Sequence, residues 1–323
     1  MSKNYFAPST SLADDIDNKE LLKTVIITKQ IVTTIKTVNH DSDENHKNSI
    51  SVVGPYGSGK STTTLALYHY LRNTLPTNLI KNLQKELIKP VLEPYKASEI
   101  KVVIGQKISL EKSLKRSFKI KSSVIDHIRE NIIQKDNRLI LIIDEFGKYL
   151  EYYSDNPKDG DVYILQELAE LATRSSNMFK LITIRHQAIM GYFSGIKGNY
   201  LNEWKKIQGR FFDIVHSNTI GDTLHLINPH IKVFSNKSIQ NDSGVDALIF
   251  DNPSIGELPK DGILSNSHPL HPFTVLMLVS AYKRFAQNER SVFTFLNTHE
   301  RYGLRDFIDK NDDGLYQLSD FYD

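Results

Sequence analysis

The chain has 323 residues, enough to bury a full core with room for one large domain and a smaller one. Lysine and arginine number 40 against 38 aspartates and glutamates, so the net charge of +2 by itself argues for no polyanionic partner. The absence of cysteine excludes disulfides, thiolate metal sites and cysteine nucleophiles, and suits a reducing compartment. The first residues carry no signal-like apolar core, and no apolar run approaches the roughly 18 residues that span a bilayer, so a soluble cytoplasmic protein with no membrane partner is expected.

Residues 1–18 are polar and acidic and are expected to be extended. Leu21, Leu22, Val25, Ile26, Ile31, Ile35 and Val38 predict one amphipathic helix from Lys19 to Val38. HDSDENHK (40–47) is expected to be a solvated loop that closes an N-terminal segment, 1–47; its His40 and His46 lack the regular spacing of a metal pair.

The next stretch is NSISVVGPYGSGKSTTTLALYHYL. Within it Gly54-Pro55-Tyr56-Gly57-Ser58-Gly59-Lys60-Ser61 fits G-x-x-x-x-G-K-[ST]. Ile50, Val52 and Val53 precede it as a buried parallel strand would, and Leu65 to Leu71 follow at helical spacing. Strand, glycine loop and helix in that order predict a phosphate cradle. The glycines let backbone N–H groups turn inward, and the helix adds the positive end of its dipole. The expected ligand set runs from Gly54 to Thr62. Lys60 is expected on the β- and γ-phosphates of ATP, and Ser61 on Mg²⁺.

A second helix is expected from Leu79 to Leu92, ended by Pro90 and Pro94, then a strand at 100–104. GQKISLEKSLKRSFKIKSS follows, with Lys107, Lys112, Lys115, Arg116, Lys119 and Lys121 against only Glu111: a candidate nucleic-acid face or a solvated helix face. After a helix from Val124 to Ile133, Leu139–Ile143 is five apolar residues ending in Asp144 and Glu145. That is the pattern of a buried strand delivering carboxylates to the phosphates. Asp144 is expected to hold Mg²⁺ with Ser61, and Glu145 to polarise the attacking water. Asp161 is expected to cap a helix over 162–173, and a strand over 179–184 leads to four competing γ-phosphate sensors: Thr183, Arg185, His186 and Gln187. The glycines in GYFSGIKGNY (191–200) imply a flexible or tightly turned segment, followed by a short helix at 202–207. Arg210, just ahead of a strand at 211–215, is a candidate arginine finger or an ordinary surface arginine. Beyond it the pattern weakens, with a candidate short strand at 231–234. Helices resume after HPLHP (268–272), whose prolines keep its two histidines from acting as a metal pair.

Five strand candidates, a P-loop after the first and an acidic pair ending the third predict a five-stranded parallel P-loop NTPase sheet of the additional-strand type, flanked by helices. The core is placed at 48–217. An irregular linker and a small helical lid follow at 218–323, in a chain that stops as if it were the amino-terminal part of something longer. GPYGSGKS, IIDEFGK, IRHQ, EWKKIQGRF, HPLHPFTVLMLVSAYKRFAQNERSVFTFL and RYGLRDF resemble the AAA+/STAND-like ATPase module of large bacterial P-loop proteins. Those proteins sit among phage-defence and restriction systems, and their module is similar to the origin-recognition branch of AAA+. The resemblance covers most of the chain from about Leu21 onward. It implies ATP-driven switching in a homo-oligomer or larger complex, with Arg210 as finger and Arg290 as a second nucleotide sensor. The competing expectation is a nucleotide-sensing scaffold with negligible turnover.

Overall fold

The computed structural model describes residues 12–39, 48–86, 99–156, 162–193, 199–217, 220–235, 239, 264, 266–285, 292–311 and 314–321. His40, His46, Pro90, Pro94, Asp161 and the whole of QNERS with Arg290 lie outside them, as do residues 194–198 of the glycine-rich stretch. Contacts divide the chain into two units, Thr10–His216 and Ser217–Asp323 with Met1–Ser9.

In the first unit the elements run α1 (Leu12–Asp15), α2 (Lys19–Lys23), α3 (Lys29–Asn39), β1 (Ser49–Val53), α4 (Lys60–Leu71), α5 (Thr77–Glu86), β2 (Glu99–Ile104), α6 (Leu110–Phe118) and α7 (Val124–Asn131). They continue with β3 (Leu139–Asp144), α8 (Gly147–Asp155), α9 (Val162–Arg174), β4 (Phe179–Arg185), α10 (Asn199–Gln208) and β5 (Phe212–Val215). The five strands pair in the order β2-β3-β4-β1-β5, every pair parallel. β4 thus lies between β1, which opens the glycine loop, and β3, which ends in Asp144. This is the additional-strand P-loop NTPase sheet that the order of motifs predicts.

Both faces of the sheet are covered, so its central strands are continuous apolar runs. β3 and β4 are buried at every residue. Side chains alternate between the faces. Leu139, Leu141 and Ile143 pack with α6 to α10, whereas Ile140 and Ile142 pack with α1 and α3 to α5. α4 is buried from Thr63 to Leu71, as a helix packed on all sides must be.

The single helix expected over 19–38 is two. Thr24-Val25-Ile26-Ile27-Thr28 is β-branched throughout, a poor helical run. The chain instead extends there and buries Val25 and Ile27. Local bonds mark both ends of the break: Thr24 Oγ1 donates to the Leu21 carbonyl (2.7 Å), and the Ile31 N–H donates to Thr28 Oγ1 (3.3 Å). The helix expected at 202–207 is longer, at Asn199–Gln208.

The second unit holds α11 (Ile220–Ile231), α12 (Pro272–Phe285), α13 (Val292–Asn297) and α14 (Leu304–Lys310) around Leu224, Ile227, Val279, Phe295, Leu304 and Tyr316. The short strand considered at 231–234 is the closing turn of α11, where Lys232 and Phe234 N–H groups donate to Asn228 and Ile231 carbonyls. α12 begins at Pro272, as the proline predicts. His271 Nδ1 accepts the Phe273 N–H at 3.2 Å, a structural use of that imidazole.

Candidate nucleotide-binding site

Because all five strands are parallel, their carboxyl ends share one edge of the sheet, where ligands of open α/β sheets sit. Gly54 follows β1, Gly105 follows β2, Asp144 and Glu145 end β3, His186 follows β4 and His216 follows β5.

The loop from Gly54 is shaped by its glycines. Gly57 and Gly59 have φ of +73° and +80°, backbone that favours glycine, and Gly59 is the N-cap of α4. Gly54 is glycine for a different reason: a Cβ there would lie 2.4 Å from the His216 carbonyl oxygen. Lys60 is 5% exposed, and its ammonium donates to the Pro55 carbonyl at 2.7 Å and to Ser58 Oγ at 3.4 Å. Burial lowers its pKa to about 8, with Asp144 acting against that shift.

Asp144 is buried, and its Oδ1 accepts the Glu145 N–H at 2.9 Å. Burial raises its pKa to about 6, while the Glu145 N–H and Lys60 favour the ionised form. Glu145 adopts φ +48°, uncommon for a residue with a side chain, and its carboxylate pairs with Lys148 in the first turn of α8. Gly105 permits this turn, since a Cβ there would lie 2.0 Å from the Glu145 carbonyl oxygen.

Of the four residues competing at the end of β4, Thr183 and Arg185 are bound to neighbouring strands. Thr183 Oγ1 donates to Ser51 Oγ at 2.9 Å. The Arg185 guanidinium, wholly buried, donates to Ser51 Oγ, to the Gln187 carbonyl and to Asp213, tying β4 to β1 and β5. The Gln187 side chain packs beside Gly191. His186 is left facing the loop. Its ring stacks on Tyr56 with centroids 3.6 Å apart. Burial, then Lys60, lower its pKa to about 4, against the opposing charge of Glu145.

Arg210 lies elsewhere. It precedes β5, so it sits at the amino-end edge of the sheet, where its guanidinium pairs with Glu170 of α9 at 2.8 Å. The basic stretch forms α6 and its flanks. Leu110, Ser113 and Leu114 are buried, Lys115 pairs with Glu111, and Lys107 lies near Glu151 and Asp155, while Lys112, Arg116, Lys119 and Lys121 are exposed.

Sequence reasoning missed His216. Its ring is fully buried beneath the loop, its backbone N–H donates to Val53 O at 2.7 Å, and its Nε2 lies 3.3 Å from Thr34 Oγ1 on α3. The Nδ1 faces the Ser58 backbone without closing a hydrogen bond. The available signal was position: His216 follows a strand, as Gly54 and His186 do.

The glycine loop on β1, the carboxylates ending β3 and the strand between them define a P-loop fold of the additional-strand class. No family model and no curated protein matches the sequence. Among solved structures the chain is similar to Cdc6p from Pyrobaculum aerophilum, with 12% identity and a TM-score of 0.34 over 70% of this chain and 51% of that one. It is also similar to the ADP form of Aeropyrum pernix ORC2 (13%, TM-score 0.35, 89% and 69%) and to a Walker-type ATPase of Pyrococcus abyssi (14%, TM-score 0.32, 88% and 72%). The match spans about half the length of the Pyrobaculum protein.

Proposed function

We propose that the chain binds Mg·ATP at Gly54–Thr62 and hydrolyses its β–γ phosphoanhydride bond. The observation that carries this is the convergence of Lys60, Asp144, Glu145 and His186 at one edge of a parallel sheet, around a loop with two left-handed glycines. Backbone N–H groups of the loop and the Lys60 ammonium would take the phosphate oxygens. Ser61 and Asp144 fit Mg²⁺: one hydroxyl and one buried carboxylate are hard oxygen donors, and phosphates and water would complete the shell. Held by Ser61 and Asp144, the ion would neutralise charge on the phosphates. Glu145 accepts a proton from the water whose oxygen bonds to the γ-phosphorus, as the bond to the β-bridging oxygen breaks and ADP leaves.

Arg210 cannot reach its own protomer's loop from the opposite edge of the sheet, so as a finger it serves a neighbour. That fits an oligomeric switch. The helical second unit is the lid in this reading. The exposed cations of α6 are the face a nucleic acid would meet, and the motif resemblance supports a place in phage defence or DNA transactions, in the cytoplasm. Among the described residues no helix is long and apolar enough to cross a membrane. The pairing of Glu145 with Lys148 and of Arg210 with Glu170 favours a second reading, a nucleotide-sensing scaffold with negligible turnover.

Phosphate release by the wild type, Lys60→Ala and Glu145→Gln across a protein concentration series tests both. An ATPase shows turnover that rises with concentration, disappears in Lys60→Ala, and falls at least about a hundredfold in Glu145→Gln. Binding of Mg·ATP without release supports the scaffold. Release equal in all three proteins defeats the site.

A further inference from the structure

Lys148 belongs to neither the glycine loop nor the acidic strand end, yet it stands among the groups that matter. It lies one residue into α8 and shares the Glu145 carboxylate. The Glu145 Oε2 is closed off from solvent, with the Lys148 ammonium as its neighbouring cation. The field of Lys148 reaches both Asp144 and His186, the two groups that also feel Lys60. The two lysines therefore bracket one small region at the carboxyl ends of β3 and β4, Lys60 from the loop side and Lys148 from the α8 side. Both side chains of the Lys148–Glu145 pair remain roughly half exposed, so the pairing is weak enough to be exchanged.

Resting on the reading of the site as an ATP site, we infer that Lys148 is a γ-phosphate-discriminating residue, held by the Glu145 carboxylate and transferred to the terminal phosphate of a nucleoside triphosphate. A terminal phosphate carries more charge than that carboxylate and offers three acceptor oxygens, so it draws the ammonium away. The Lys148–Glu145 pair is thereby opened only when a triphosphate is present. A diphosphate has no group at that position and leaves the pair intact. The property that follows is a preference for triphosphate over diphosphate.

The test is equilibrium binding of ADP and of a non-hydrolysable ATP analogue, each with Mg²⁺, which needs no turnover. Wild type, Lys148→Met, Glu145→Gln and the double variant are compared. Lys148→Met is expected to lose roughly tenfold in analogue affinity while ADP affinity stays within about twofold, the size of one partly exposed charge-assisted contact. Glu145→Gln releases the lysine and is expected to tighten the analogue several-fold without affecting ADP, a gain that disappears in the double variant. The inference is overturned if Lys148→Met weakens both nucleotides equally or neither, or if the gain from Glu145→Gln survives without Lys148. Failure of the wild type to bind either nucleotide overturns the ATP-site reading itself, and this one with it; normal binding without the Lys148 signature sinks this one alone.

Discussion

His216 shows how a single buried ring can tune the floor of a loop. Burial beneath the P-loop, with Lys60 nearby, holds its pKa at about 4 against an ordinary 6.5. A depressed pKa means that the folded state binds the proton less readily than the unfolded chain. The stabilising contribution is therefore complete above pH 6.5 and is lost as pH falls toward 4, about 3 kcal/mol in all for this one group. Asp144, raised to about 6, works in the opposite direction: its contribution is complete below the unfolded value of 3.8 and is lost as pH rises through 6. The net stability curve thus conceals both groups, and the measurement has to be differential. Urea unfolding of wild type and His216→Gln at several pH values should show the wild type losing about 3 kcal/mol relative to the variant between pH 7 and pH 4. Parallel curves would mean the ring is not held neutral by its surroundings.

At the scale of elements, three strands of the sheet are fastened together by one buried guanidinium. β1 carries Ser51, β4 carries Arg185 and β5 carries Asp213, and the guanidinium bonds all three strands through Ser51 Oγ at 2.7 Å and Asp213 Oδ1 at 2.7 Å. Burial disfavours the charged guanidinium, and Asp213 offsets that loss. Removing one partner of such a pair leaves a charge buried and uncompensated. Asp213→Ala is expected to cost about 3 kcal/mol in urea unfolding, whereas adding Arg185→Met should recover part of the loss by removing the stranded charge. A cost below about 1 kcal/mol for Asp213→Ala would show that the clamp contributes nothing beyond an ordinary surface pair.

For the molecule as a whole, the two edges of the sheet carry complementary halves of one proposed reaction. The loop, Asp144 and Glu145 occupy the carboxyl-end edge, and Arg210 occupies the amino-end edge. In the proposed reaction a single copy would not bring them together, and assembly would be part of the chemistry. Arg210→Ala should bind Mg·ATP as the wild type does and lose about a hundredfold or more in turnover. Mixing it with Lys60→Ala, itself inactive, should restore phosphate release, because each supplies the half the other lacks. No recovery in the mixture, with both variants folded, would remove Arg210 from the reaction.

Much of this architecture is determined by local sequence. Gly54 to Ser61 between a β-branched run and a helical one, and five apolar residues ending in Asp144-Glu145, specify strand, loop and helix through short-range physics: backbone freedom at glycine, face alternation, burial of a parallel strand. Strand positions follow to within a residue or so for the same reason. The break at Thr24–Thr28 was legible too, in five consecutive β-branched residues, but periodicity alone bridges it because Val25 and Ile26 fall near the helical face. Only the tertiary structure shows how Thr183 and Arg185 are used, since their partners Ser51 and Asp213 come from other strands. It likewise placed His216 under Gly54, set Gly105 against the Glu145 turn, and put Arg210 at the far edge against Glu170. Each of these depends on which groups meet across the sheet, and that pairing is created by packing between segments distant in the chain, where no local pattern carries the information.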